Sequence, residues 1–130
     1  MIVVISDTKD GKSYQAEVPK DKESGLIGHK VGDSIDGGSL GAAGYTLKLT
    51  GGSDGSGFPM REEVHGSAKK MILTSDGVGF HATHNGERRR KYVRGNTYST
   101  EIVQVNASVK TAGASPLDQL FPKAEKKEKK

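Results

Sequence analysis

The chain has no cysteine and no tryptophan. Without cysteine there is no disulfide, no thiolate zinc site and no cysteine nucleophile. Aromatic residues make up 5% of the 130 positions and hydrophobic ones 32%. One domain with a modest core is what that length and composition allow. Long apolar runs are missing as well. The opening MIVVISD is apolar for a few residues only, too short for a signal peptide or a membrane span, so a soluble intracellular protein is the expectation. Prolines number 4 against 18 glycines, a glycine content above ordinary use that points to many turns. Those glycines do not build a known phosphate loop. No G-x-G-x-x-G occurs, and after Gly52 and Gly57, which have the outer spacing of a P-loop, Phe58 and Pro59 stand where Lys and Ser or Thr are needed. The stretch DGSG lacks the alternating acids and distal Glu of a calcium loop. No internal repeat is visible.

What is present is charge, unevenly spread. The net charge is +4. Residues 1–60 hold six lysines against eight acids, whereas residues 61–95 hold eight Lys and Arg against four acids. A basic second half on a slightly acidic first half fits a one-sided, polyanionic partner.

Alternation places the elements. IVVIS and YQAEV flank the turn cluster DTKDGKS and predict a β-hairpin, with Tyr14, Ala16 and Val18 on one side. Pro19 and the charged KDKES end its second strand. GLIGHKVGDSIDGGSLGAAG is too glycine-studded for a long helix and allows one short helical turn. Strands are expected over 45–50, ending at Gly51-Gly52, and over 70–74, 78–83 and 98–109. SDG at 75–77 is a tight-turn signal between two of them. Short strands with frequent turns predict a mainly β fold, a single small closed or partly open β-barrel or a sandwich. SPLDQLF (115–121) predicts a short C-terminal helical turn capped by Ser115, with Pro116 at its first helical position and Leu117, Leu120 and Phe121 docking on the barrel. The expected division is a β-barrel domain over 1–122 and a disordered Lys/Glu tail over 123–130, KAEKKEKK having nothing to bury.

No catalytic constellation is legible. Ser, His and Asp are all present, but no serine sits on an elbow. His81 and His84 are three apart on an expected strand, where that offset faces opposite sides. With His29 and His65 they read as surface or partner-facing side chains, and no metal is expected.

Four of the five arginines lie in HNGERRRKYVRG, 84–95. A guanidinium is planar, always charged, and grips phosphate oxygens with two donors at once. Strand alternation would put Arg88, Arg90 and Tyr92 on one face and Arg89, Lys91 and Val93 on the other. Cations on both faces argue against burial and for a basic loop or strand end projecting into a partner. A second stretch, GGSDGSGFPMREEVHG (51–66), sets Phe58-Pro59-Met60 in a polar loop. Phe58 is either folded back onto the core or offered to something flat.

Together, Gly51, Gly52, Asp54, Gly57, Phe58, Pro59 and Met60, then Gly86, Arg88, Arg89, Arg90, Lys91, Val93, Arg94 and Gly95, resemble the S6e family of archaeal and eukaryotic small-subunit ribosomal proteins. The likeness spreads over roughly residues 1–120 and is weak in 20–44. Eukaryotic members continue into a long basic helix with a phosphorylated serine tail. This chain lacks it and resembles the short archaeal form. The resemblance implies a structural, non-enzymatic constituent of the small (30S) subunit in the cytoplasmic ribosome. Its implied partners are small-subunit ribosomal RNA and neighbouring ribosomal proteins, with no membrane, cofactor or small-molecule substrate, and the chain is expected to be monomeric within the ribosome. On that reading Arg88, Arg89, Arg90, Lys91 and Arg94 are the main phosphate contacts, Arg61, Lys69 and Lys70 secondary ones, and Tyr92 or Phe58 stacks on an unpaired base. The alternative is a free RNA-binding module acting as a translation or RNA-processing factor.

Overall fold

The computed structural model describes residues 1–121. The tail expected over 123–130 lies outside them. The chain is mainly β. Strands β1 (Ile2–Asp7) and β2 (Lys12–Glu17) form the expected hairpin, in which Val3 pairs with Ala16 and Ile5 with Tyr14. Strands β3 (Ser34–Asp36), β4 (Thr46–Asp54) and β7 (Ile102–Thr111) complete a five-stranded sheet of order β2-β1-β7-β4-β3. Its first and last strands in sequence, β1 and β7, run parallel; the other pairs are antiparallel. Strands β5 (Lys69–Thr74) and β6 (Arg89–Arg94) form a separate two-stranded ribbon.

Period-2 alternation decides which face is buried. Val3, Ile5, Leu47, Leu49 and Val105 are fully buried on the inner face, joined by Tyr98, Ile102 and Leu26. Each such side chain stabilises the fold by roughly 1.5–3 kcal/mol relative to exposure. The C-terminal turn docks on this core. Leu117 is buried, the Tyr45 hydroxyl donates to the Ser115 carbonyl at 2.5 Å, and the Tyr14 hydroxyl donates to Asp118 Oδ1 at 2.7 Å.

Among the described residues no ladder closes the larger sheet into a barrel. Several other expectations need correction. Strand β4 does not stop at Gly51-Gly52 but runs through both to Asp54, with a register shift between Leu49 and Gly51. A glycine is required at 52, because a Cβ there would strike the Gln104 carbonyl. Residues 78–83 form no strand. Gly77 and Phe80 exchange two backbone hydrogen bonds of 3.0 and 3.2 Å in a tight reverse turn, and the ladder partner of β5 is the arginine segment instead. Strand β7 begins at Ile102, later than expected. The last helix, α2 (Leu117–Leu120), starts one residue late; Pro116 is its extended N-cap, and Ser115 makes no side-chain cap. An unexpected short helix, α1 (Lys20–Glu23), follows Pro19.

Candidate nucleic-acid interface

Two segments carry the site, and one short stretch ties them together. After β4 the chain turns back at 54–58. Met60 N then donates to the Gly52 carbonyl at 2.9 Å, Arg94 N to the Pro59 carbonyl at 2.8 Å, and Arg61 N to the Arg94 carbonyl at 3.0 Å. Residues 59–61 thus lie between the end of β4 and the end of β6, coupling sheet to ribbon. At Gly95 a Cβ would collide with the Gly66 carbonyl, so the chain crosses there only because the side chain is missing.

Asp54 organises the turn. Its side chain is 2% exposed. Oδ1 accepts from Ser56 N at 3.0 Å and Phe58 N at 2.9 Å, and Oδ2 accepts from Arg94 Nε at 2.8 Å. Burial alone would raise its pKa. The Arg94 hydrogen bond and the Phe58 and Ser56 amides outweigh burial and hold the carboxyl below its ordinary value. Arg94 also donates to the Ser67 carbonyl at 3.2 Å and to the Glu101 carboxylate.

The ribbon register sorts the cations. Lys69–Arg94, Met71–Tyr92 and Leu73–Arg90 alternate with Lys70–Val93, Ile72–Lys91 and Thr74–Arg89. Successive pairs face opposite sides. On the first face Phe58 is half-buried and packs on Tyr92, centroids 5.8 Å apart and rings tilted by 57°. Lys69 Nζ lies over both rings, 4.9 Å from Phe58 and 5.3 Å from Tyr92. On the second face Val93 and Thr74 are buried, and Lys91 Nζ stands 5.9 Å from the ring of buried Phe80. Phe58 therefore belongs to neither extreme, since it leans on the ribbon while keeping part of its surface in solvent.

The arginines separate into two groups that sequence spacing could not distinguish. Arg94 and Arg61 have side chains 13% and 14% exposed. Arg61 is held by the Thr74 hydroxyl at 2.6 Å and by Glu63 at 2.9 Å. Both act first as braces between segments. Arg89 is exposed but meets Glu87 at 3.1 Å. Glu87 also accepts from Thr83 Oγ1 at 2.9 Å, Thr83 N at 3.0 Å and His84 N at 3.4 Å, and the Thr83 bonds chiefly lower its pKa. Among the described residues, Arg88, Arg90, Lys91, Lys69 and Lys70 have no carboxylate within ion-pair distance. The segment expected as a basic loop or strand end is a strand over Arg89–Arg94. In it Arg90 and Lys91 point outward unpaired among the described residues, Arg89 points outward but meets Glu87, and Arg94 turns inward onto Asp54 and Glu101. Of the three carboxylates that do the positioning, the sequence marks Asp54 only as a member of the family pattern and leaves Glu87 and Glu101 unmarked.

His81 is nearly fully exposed and 3.8 Å from Asp76. Among the described residues no three His, Asp or Glu side chains converge as a metal site would require.

The pattern of the ribosomal protein S6e family matches residues 1–122. The chain is 49% identical over 126 residues to the small ribosomal subunit protein eS6 of Methanocella arvoryzae, covering 97% of this chain and 89% of that relative. It is 46% identical over 123 residues to that of Methanoculleus marisnigri, covering 95% and 93%. It is 50% identical over 119 residues to that of Methanothermobacter thermautotrophicus, covering 92% and 93%.

Proposed function

The chain belongs to the ribosomal protein S6e family, and from that premise we propose that it is a structural constituent of the small ribosomal subunit that holds ribosomal RNA mainly through phosphate contacts from the β5–β6 ribbon. The observation that carries the phosphate part is the ribbon's composition. Its twelve residues, Lys69–Thr74 and Arg89–Arg94, include six cations and no carboxylate. Five like charges left unpaired at or beside one two-stranded element repel one another in water and are relieved by a polyanion. A-form RNA favours such contacts, because its deep major groove hides the base edges while phosphates and 2′-hydroxyls are displayed. Arg88, Arg90, Lys91, Lys69 and Lys70 are the phosphate contacts on this reading, with Arg89 shared between Glu87 and RNA. Arg94 and Arg61 hold the ribbon to the sheet. The protein is then a scaffold in the cytoplasmic ribosome, beside neighbouring ribosomal proteins, and not an enzyme.

Sedimentation of a cell lysate through a sucrose gradient in high salt tests the assignment. The chain is expected to travel with the small subunit. A chain that washes off would be a visiting RNA-binding factor, and one that stays at the top of the gradient would be no ribosomal component.

A further inference from the structure

The two faces of the β5–β6 ribbon are not equivalent. The face bearing Thr74 and Val93 is covered where it meets the 77–80 turn and Arg61. The opposite face exposes three apolar side chains among its cations. Met71 is 49% exposed, Leu73 59% and Tyr92 45%. These three account for half of the large hydrophobic side chains exposed among the described residues. They are neighbours by register, since Met71 pairs with Tyr92 and Leu73 with Arg90. Cations bracket them, with Arg90 at one end and Lys69 at the other. At the Lys69 end a cleft of about 450 Å³ opens, lined by Ser67, Lys69, Arg94, Ser99 and Glu101. The Ser99 hydroxyl, behind the wall of that cleft, is buried and has no hydrogen-bond partner among the described residues. A buried polar group left unpaired calls for an explanation.

Phosphate contacts account for the cations but not for three solvated apolar side chains between them. A protein partner would explain the apolar part. It would also have to desolvate Lys69, whose ammonium sits above the Phe58 and Tyr92 rings. Lysine is depleted from the cores of protein interfaces for that reason. A single-stranded nucleotide run satisfies both demands at once, because each unit brings a flat apolar base and an anionic phosphate.

We propose that the Met71/Leu73/Tyr92 face of the ribbon is a platform for unpaired bases of the bound RNA. Tyr92 stacks on a base splayed out of its helix. Met71 and Leu73 pack beside that base. Lys69 and Arg90 hold the phosphates before and after it, and the cleft beside Lys69 receives the adjoining sugar. Phe58, anchored through its amide to Asp54, fixes the tilt of the Tyr92 ring. The platform rests on the RNA-binding role proposed above and adds to it a preference for single-stranded over duplex segments.

Titration of the full chain with a labelled oligouridylate and with a labelled RNA duplex of equal length is the test. The Tyr92→Ser variant is expected to bind the oligouridylate about tenfold more weakly and the duplex within about twofold of wild type. Tyr92→Phe keeps the ring and retains single-strand affinity. Leu73→Ser, at an exposed position that cannot unfold the core, shows a smaller loss in the same direction. Arg90→Gln weakens both RNAs together. If Tyr92→Ser and Leu73→Ser leave both affinities unchanged while wild type binds RNA, the platform is wrong and the phosphate role stands. Should those two variants also drop off the small subunit in gradients, the face docks on a neighbouring protein instead. A wild-type chain that binds neither RNA overturns both readings.

Discussion

The guanidinium of Arg94 lies 2.8 Å from the carboxylate of Asp54, 40 positions away in the chain, and the two side chains are 13% and 2% exposed. One hydrogen-bonded pair therefore fastens the end of the basic ribbon to the turn that carries Phe58. Removing one partner of a buried ion pair costs more than the pair contributes, because the other charge is left without water or counterion.

Asp54→Asn is expected to destabilise the protein by about 3 kcal/mol, the low end for a broken buried pair since Arg94 keeps Glu101. Asp54→Ala should cost more, as the Ser56 and Phe58 amides lose their acceptor too. Urea unfolding measures both. A loss below about 1 kcal/mol for Asp54→Ala would mean that the pair is not structural.

The same carboxylate makes a pH prediction. Its folded-state pKa is lowered from 3.8. A depressed pKa contributes stability that is present above the unfolded value and lost as pH falls through the folded one. The gap between wild type and Asp54→Asn should thus be full at neutral pH and shrink in acid below 3.8. Parallel unfolding curves at both pH values would contradict the assignment.

Replacing Arg88, Arg89 and Arg90 together by Gln should leave the melting temperature nearly unchanged, because all three are exposed. The salt dependence of RNA binding should flatten by roughly two to three units of log–log slope, at about 0.9 per lost phosphate contact on a duplex. An unaltered slope in a folded variant would remove the ribbon from the interface.

Gly95 and Gly51 make a matched pair. Alanine at 95 places its Cβ against the Gly66 carbonyl, whereas at 51 nothing lies within 4 Å. Gly95→Ala should destabilise by at least about 2 kcal/mol through overpacking, and Gly51→Ala by less than about 0.5 kcal/mol. Thermal melts of the two variants side by side decide the matter.

Local pattern made part of this structure readable. The alternation of YQAEV and the apolar IVVIS give the β1–β2 hairpin, although β2 starts two residues earlier than expected, at Lys12, and ends at Glu17, and KMILT gives β5. Such segments settle their own conformation through which face they bury. Strand partners are a different matter. VGFHAT alternates as well as β5 does, yet Gly77 and Gly79 turn the chain before a ladder can form, and β5 finds Arg89–Arg94 instead. Gly51-Gly52 reads as a stop because glycine usually ends strands, whereas the sheet requires it where Gln104 approaches. The density of the arginines marked the region proposed here as the interface. It could not reveal that Arg94 turns inward, since that is decided by Asp54 and Glu101. Nor could composition show that Met71 and Leu73 face solvent, which follows from the ribbon standing clear of the main sheet.

The middle place of β7 in the five-stranded sheet also dictates an order of assembly during synthesis. Its neighbours, β1 and β4, are made long before it, and they share no ladder with each other. Until Ile102–Thr111 has emerged, the nascent chain holds two half-sheets, each with an open edge, and no shared core. Hairpins of near neighbours such as β1–β2 need no later residue and can close as soon as they emerge. The whole domain therefore locks only when its last strand slides between the two halves. A chain terminated before that point would carry two unprotected edges able to pair with another copy. For this topology, premature termination yields a sticky fragment and not a smaller working domain.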